Sequence, residues 1–539
     1  SVQVIESEDK KSRRRRAASA RRKLKEAPAN MPALADGADK VIIRKKQQPK
    51  SPPPTTAPVE SRREGYEFIE ENDFHDVARN PLSTFSIDVD AASYANMRRF
   101  LRNGQLPPAD AVRIEEMVNY FHYEYPAPTD DTPFSVSTEV GICPWNTGHR
   151  LVHIGVQGKK MVSEDMPPAN LVFLIDVSGS MSAPNKLPLL KTSFKMLVDQ
   201  LRPQDKVAIV VYAGAAGVVL KPTSGQEKAT IKNALDQLKA GGSTAGGAGI
   251  QLAYQLAREN FAEGGNNRVI LATDGDFNVG LSNDSELVRL IESERESGIF
   301  LTVLGFGTGN YQDTKMQKLA DHGNGNHAYI DHLNEARKVL VEEFGGTLFT
   351  IAKDVKIQVE FNPARVAAYR LIGYENRLLD EEDFNDDTKD AGELGAGHSV
   401  TALYEIVPAG TDDPAIRKAD ALKYQKTVVP PEATDSDEWL TVKLRYKKPE
   451  GGRSRALEFP VSGPALSAQM TSDNFRWSAA VAGFGMLLRQ SKFIEKWTFA
   501  DVRDLAQSAI GPDLNGYRAE FVELIERAQA LTQKEVAGR

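Results

Sequence analysis

The segment DVSGSM, Asp176 to Met181, places a carboxylate and two hydroxyls on alternate residues: Asp176, Ser178 and Ser180. Alternate residues of an extended or turning backbone face one way, so the three oxygens can converge on one point. A hard cation such as Mg²⁺ takes oxygen ligands in a near-octahedral array at about 2.0–2.1 Å, and one carboxylate with two neutral hydroxyls suits it. Two further stretches bring oxygens of the same kind. GGSTAGG carries Thr244 in a glycine-rich loop before a helix, and ILATDGD carries Asp274 at the end of an apolar run.

Other chemistries fit less well. A phosphatase that uses a strand-end aspartate needs a second carboxylate two residues on as general acid, and here that place is Ser178. Asp88 and Asp90 have the spacing, but no run of buried strands follows, and Asp90 with Ser93 reads as a helix N-cap. Asp383, Asn385 and Asp387 alternate like a calcium loop, yet Thr388 and Leu394 stand where that loop needs Gly and Glu; a solvated acidic loop is expected. His322, His327 and His332 are five apart, a spacing that serves neither helix nor strand. Cys143 stands alone in GICPW and reads as a small packed hydrophobe. No GK[ST] follows the glycines of GGSTAGGAG, so they make no phosphate loop.

The elements around Asp176 decide whether the oxygens meet. LVFLIDVS, KVAIVVYAG, RVILATDG and IFLTVLGFG are nearly continuous apolar runs alternating with amphipathic helices. Such runs mark strands buried on both faces of a mostly parallel sheet, hence a doubly wound α/β domain. Ligands bind such sheets at the carboxyl ends of the strands, which is where Asp176 and Asp274 stand.

Beyond this domain the pattern changes. We expect a basic, Pro-rich disordered tail and linker over 1–65, an N-terminal companion region over 66–167, the α/β domain over 168–348, long alternating strands over 349–470 and a helical region over 471–539. The strands on each side of the α/β domain are too few for a comfortable sheet pair on their own, so the domain is expected to be inserted in one β-sandwich built from both flanks. RIEEMVNYFHY reads as an amphipathic helix and AAVAGFGMLL as a core helix. The formal net charge of −7 combines a basic first fifty residues with an acidic remainder. The basic arm could bind anionic surfaces; nucleic acid is not the expected partner. One cysteine permits no internal disulfide, and no uncharged apolar stretch of eighteen or more residues exists to span a bilayer.

The DVSGSM, GGST and TDG set, in order and on the expected elements, resembles the von Willebrand factor A domain and its metal-ion-dependent adhesion site. DVARNPLSTFSIDVDAASYANMRRFL, LIGYENRLLDEEDF and NGYRAEFVELIERA resemble the flanks of the YfbK-like bacterial A-domain proteins. The resemblance implies Asp176, Ser178, Ser180, Thr244 and Asp274 as ligands of Mg²⁺ (or Mn²⁺ or Ca²⁺). It implies a protein partner that offers an Asp or Glu carboxylate to the metal, a binding module and not an enzyme, and a place in the cell envelope, periplasmic or secreted. A scaffold with a purely structural metal is the alternative.

Overall fold

A computed structural model describes residues 65–161, 166–242, 246–275, 284–308, 311–343, 349–389, 391–416, 429–494 and 496–538. The expected tail, residues 1–64 of it, and Thr244 lie outside the described residues.

The N-terminal flank supplies strands β1 (Leu82–Ser86), β2 (Phe134–Ile142) and β3 (Arg150–Gly158), with helices α1 (Ala92–Arg102) and α2 (Ile114–Asn119) between β1 and β2. The A domain follows with β4 (Ala169–Asp176), α3 (Leu187–Gln200), β5 (Lys206–Tyr212), β6 (Ala216–Ser224), α4 (Lys228–Gln237), α5 (Gly246–Glu259), β7 (Asn266–Thr273), α6 (Asp284–Glu296), β8 (Ile299–Phe306), α7 (Asp313–His322) and β9 (His327–Ile330). Its sheet runs β9-β8-β7-β4-β5-β6, with only β6 antiparallel. All eight residues of β4 are buried, and their alternation serves two layers. Leu171, Phe173 and Ile175 pack with Leu190 and Phe194 of α3 and Ile231 of α4. Val172 and Leu174 pack with Ile250 of α5, Leu287 of α6 and Met316 of α7. A strand apolar at every position from Leu171 to Ile175 has no polar face to turn to water, so it becomes the central strand, covered on both sides.

The second half adds β10 (Thr350–Phe361), β11 (Val366–Ile372), β12 (Ser399–Pro408), β13 (Glu438–Lys448) and β14 (Gly451–Ser462), then α8 (Asp473–Leu488), α9 (Phe499–Gln507) and α10 (Tyr517–Gly538). Two antiparallel sheets draw strands from both sides of the A domain. β3 lies between β2 and β12, and β10 lies between β1 and β13. Phe85, Val152, Ile154, Ile357, Val359, Tyr404 and Val442 from the two sheets share one buried core. Both connections to the A domain dock on one turn: Gly397 N–H donates to the Lys159 carbonyl (3.0 Å) and Ala396 N–H to the Phe349 carbonyl (2.7 Å).

Behind the β3-β12 sheet, α8 is buried nearly all round, as AAVAGFGMLL requires, and Ser472 caps it by accepting from Phe475 N–H at 3.1 Å. Trp477 and Phe484 of α8 pack with Phe521 and Ile525 of α10. Among the described residues no helix is long and apolar enough to cross a membrane.

Two expectations fail locally. RIEEMVNYFHY is helical only over Ile114–Asn119; Tyr120, Phe121 and Tyr123 leave the helix to bury their rings against α1, α8 and α10. Asp90 does not cap α1, whose N-terminus has no side-chain cap. Its carboxylate instead accepts from His327 N–H (2.8 Å) and from Arg377 (3.3 Å). The tertiary partners offer a main-chain donor and a guanidinium, which outweigh one local cap of about 1 kcal/mol.

The buried Glu405 on β12 accepts from Trp145 Nε1 (3.0 Å) and Arg370 Nη2 (2.8 Å) and pairs with His149 Nδ1 (2.5 Å). Burial opposes the charge on each, but His149 and Arg370 hold the Glu405 carboxyl below its ordinary value, and Glu405 with Asp413 raises His149 above its own. The pair's contribution to stability is therefore whole between about 4.5 and 6.5. It fades as pH rises through the raised His149 value or falls through the depressed Glu405 value. Glu405→Ala leaves Arg370 in the core with only Glu71, 3.6 Å away, and is expected to lose about 3 kcal/mol in denaturant unfolding, together with this pH dependence.

Candidate metal centre

β4 ends at the carboxyl edge of the A sheet with Asp176, fully buried and paired in register with Tyr212 of β5. The chain then turns outward. Ser178 N–H donates back to Asp176 Oδ1 at 2.8 Å, and the Ser178 and Ser180 hydroxyls lie 2.9 Å apart. Ser178 is buried and Ser180 exposed, so the oxygens lead from the sheet edge to solvent. Three of the sequence-predicted residues, Asp176, Ser178 and Ser180, are brought together by this single turn.

Backbone hydrogen bonds seat the glycine loop on it. Gly241 N–H donates to the Val177 carbonyl (2.8 Å) and Gly179 N–H to the Gly242 carbonyl (3.0 Å). Gly242 has φ +87°, which the loop can adopt only at a residue without Cβ. Thr244 lies two residues beyond Gly242, outside the described residues.

Asp274 follows β7, next to β4 in the sheet, and is fully buried. Thr273 Oγ1 donates to Asp176 Oδ2 at 3.4 Å and accepts from Gly275 N–H at 3.2 Å. Burial pushes the Asp176 carboxyl up to about 6, with the charge of Asp274 adding to the rise and the hydrogen bonds from Ser178 and Tyr212 opposing it.

Sequence reasoning missed Lys186. It stands at the N-terminus of α3, and its Nζ donates to Asp274 Oδ2 at 2.8 Å with both side chains buried. Its stem crosses Gly307, after β8, where an added Cβ would lie 2.3 Å from Lys186 Cε. Gly307 also has φ +77°. The available signal was a lysine six residues after Ser180 in an otherwise apolar helix start, PNKLPLL, but only the folded sheet edge shows which carboxylate it meets. Gly307→Ala combines that clash with a left-handed backbone. It is expected to lower stability by about 1–3 kcal/mol and to free Asp274 from Lys186, which the Lys186 Hζ and Asp274 signals in NMR spectra would report.

The donor set is all oxygen, with two buried carboxylates, two adjacent hydroxyls and an exposed end. That chemistry fits a hard divalent ion held by Asp176, Ser178, Ser180 and Asp274. The other candidates disperse. His322 pairs with Glu292 and His332 with Asp331, while His327 is buried beside Tyr311. In the acidic loop Asp383 pairs with Lys389, and Asp387 pairs with Arg445 and Ser454. Cys143 is buried among Trp145 and Leu151, and burial raises its thiol pKa.

The doubly wound sheet and the oxygen-rich loops at its carboxyl edge define a von Willebrand factor type A domain protein. Family models match in succession: residues 60–153 match von Willebrand factor, residues 170–342 the von Willebrand factor type A domain, and residues 346–531 the C-terminal part of the uncharacterized protein YfbK. The chain is 46% identical over 475 residues to the uncharacterized protein YfbK of Escherichia coli (strain K12), across 87% of this chain and 81% of that one. It belongs to the YfbK family. It is also 29% identical over 193 residues to the uncharacterized protein sll0103 of Synechocystis, across 35% of this chain and 44% of that one. Among solved structures it is similar to a von Willebrand factor type A protein from Catenulispora acidiphila, at 17% identity and a TM-score of 0.38, across 70% of this chain and 87% of that one.

Proposed function

We propose that this chain is a protein-binding module, not an enzyme. In this reading Asp176, Ser178, Ser180, Thr244 and Asp274 hold Mg²⁺ (or Mn²⁺ or Ca²⁺), and an Asp or Glu of a partner protein completes the site in the cell envelope. The observation that carries it is the turn after β4, where a buried carboxylate and two touching hydroxyls lead out to an exposed serine. When bound, the ion supplies a Lewis-acidic position for a partner's carboxylate oxygen. Asp176 supplies the charge, Ser178 and Ser180 supply neutral oxygens that leave much of the ion's charge uncancelled, and the hydrogen bonds from Ser178 and Tyr212 favour the ionised form of Asp176.

We also read the two antiparallel sheets as one sandwich into which the A domain, over about 168–348, is inserted. The pairing of β3 with β12 and the docking of Lys159 and Phe349 on one turn support this.

The alternative, a scaffold that works without an open metal position, draws support from the Lys186–Asp274 pair, since an ammonium already answers one of the two carboxylates. A pull-down from envelope extract of the source organism, with Mg²⁺ and with EDTA, separates the two. Capture of the same proteins in equal amount under both conditions would sink the adhesion reading. For the non-enzymatic part, the expected result is no hydrolysis of phosphomonoester or peptide substrates in the presence of Mg²⁺. Turnover that disappears in Asp176→Asn would overturn it.

A further inference from the structure

At the opposite end of the A sheet from Asp176, a cavity of about 310 Å³ opens between the A domain and the β10 sheet. Its wall includes Arg268, the third residue of β7, which is 2% exposed. Nη1 of the guanidinium donates to Thr302 Oγ1 at 2.8 Å and the group lies over the Phe300 ring, 5.6 Å from its centroid, while Nε has no hydrogen-bond partner among the described residues. No described carboxylate forms an ion pair with it. A buried, unpaired cation costs several kcal/mol, and burial pulls the Arg268 pKa down to about 10. The other buried arginines among the described residues, Arg98, Arg113 and Arg370, each form ion pairs with carboxylates, although Arg370 Nε also lacks a hydrogen-bond partner.

We propose that this cavity binds a small oxyanion, a carboxylate or phosphate group, on the Arg268 guanidinium of its wall. A guanidinium is the side chain that can give two oxygens of one oxyanion parallel hydrogen bonds. The other charged groups of the wall form no ion pair with it among the described residues, although the charge of Glu393 favours its charged form. Arg377 is saturated by Asp88, Asp90 and Asp321. Glu393 accepts from Asn324 Nδ2 (2.9 Å) and Thr350 Oγ1 (3.3 Å), and burial pushes its carboxyl up to about 7 against the charges of Lys353 and Arg268. Protonated, it adds a donor to the same cavity. Arg295 brings a second guanidinium to the wall. The cavity's size is at the small end of ligand pockets, which suits a single acidic group on a compact molecule.

The test is thermal unfolding and calorimetric titration of the full chain with inorganic phosphate and, separately, with acetate, each against sodium chloride at matched ionic strength. Saturable stabilisation by one of them is expected, and which one names the ligand class. Arg268→Met should weaken that binding at least tenfold, while Glu393→Gln should retain or tighten it. If Arg268→Met does not fold, Arg268→Lys keeps the charge without the guanidinium and should weaken binding at least threefold. Stabilisation by neither anion beyond chloride, or unchanged binding in whichever Arg268 variant folds, overturns the proposal.

Discussion

Arg98→Met is expected to lower the folding stability of the chain by about 3–5 kcal/mol. Arg98 sits on α1 with its side chain fully buried. Its Nε and Nη2 donate to the two oxygens of Asp331 at 3.0 and 2.6 Å, Nη2 also donates to Glu335 at 2.7 Å, and Nη1 donates to Tyr120 Oη at 3.1 Å and Glu520 at 3.2 Å. Asp331 and Glu335 close the A domain after β9, and Glu520 belongs to α10. One guanidinium therefore ties the N-terminal flank, the A domain and the C-terminal helices. Its removal leaves Glu335 buried without its guanidinium and Asp331 with only His332, and an uncompensated buried charge dominates the cost. Urea unfolding followed by both tryptophan fluorescence and circular dichroism checks this. Coincident transitions are expected in the native chain, and the midpoint should fall in Arg98→Met. A change below about 1 kcal/mol would mean that the three parts hold together without this junction.

The second large effect concerns the sheet edge. Asp176→Ala is expected to abolish Mg²⁺ binding while the sheet remains folded, because Asp176 ends β4 and contributes a ligand more than core volume. Ser178→Ala should weaken binding by less, since it removes one neutral oxygen. Lys186→Met should act in the opposite direction. A monovalent and a divalent cation within about 4–8 Å of each other repel by roughly 1–2 kcal/mol even at the dielectric of water, which is about tenfold in affinity. Lys186→Met removes that repulsion and the ammonium that holds Asp274 Oδ2, so it should bind Mg²⁺ roughly tenfold more tightly and gain more thermal stability from it. Where a partner's carboxylate completes the site, metal and partner should strengthen each other by about 1–3 kcal/mol, or about 5- to 150-fold. Calorimetric titration of the native chain and the three variants with Mg²⁺ decides the first part. Weaker binding in Lys186→Met would show that the lysine helps to build the site and does not compete for it.

Much of this molecule was legible in its residues. The apolar runs of β4, β5, β7 and β8 could only be buried on both faces, so the doubly wound sheet followed from hydrophobic pattern alone, and with it the edge at which Asp176 and Asp274 emerge. DVSGSM carried its own convergence, because alternate residues on one turn are neighbours without help from the rest of the fold. AAVAGFGMLL, apolar at almost every position, had no choice but to be a core helix.

What stayed hidden depended on partners remote in the chain. Asp90 and Ser93 looked like a local cap, but the carboxylate was claimed by His327 N–H and Arg377, more than two hundred residues away. RIEEMVNYFHY kept a helical period past the point where its aromatic rings found better burial than the helix offered. Lys186 reads as an ordinary helix-start lysine until β8 ends in Gly307 and lets its stem across to Asp274. The unpartnered Nε of Arg268 becomes visible only when the β10 sheet roofs it. Local pattern determined which segments are strands and helices and where the oxygens gather, because periodicity and turn chemistry act within a few residues. Which charges meet, and which one is left without a partner, was decided by tertiary packing alone, because long-range ion pairs leave no periodic trace in a single chain.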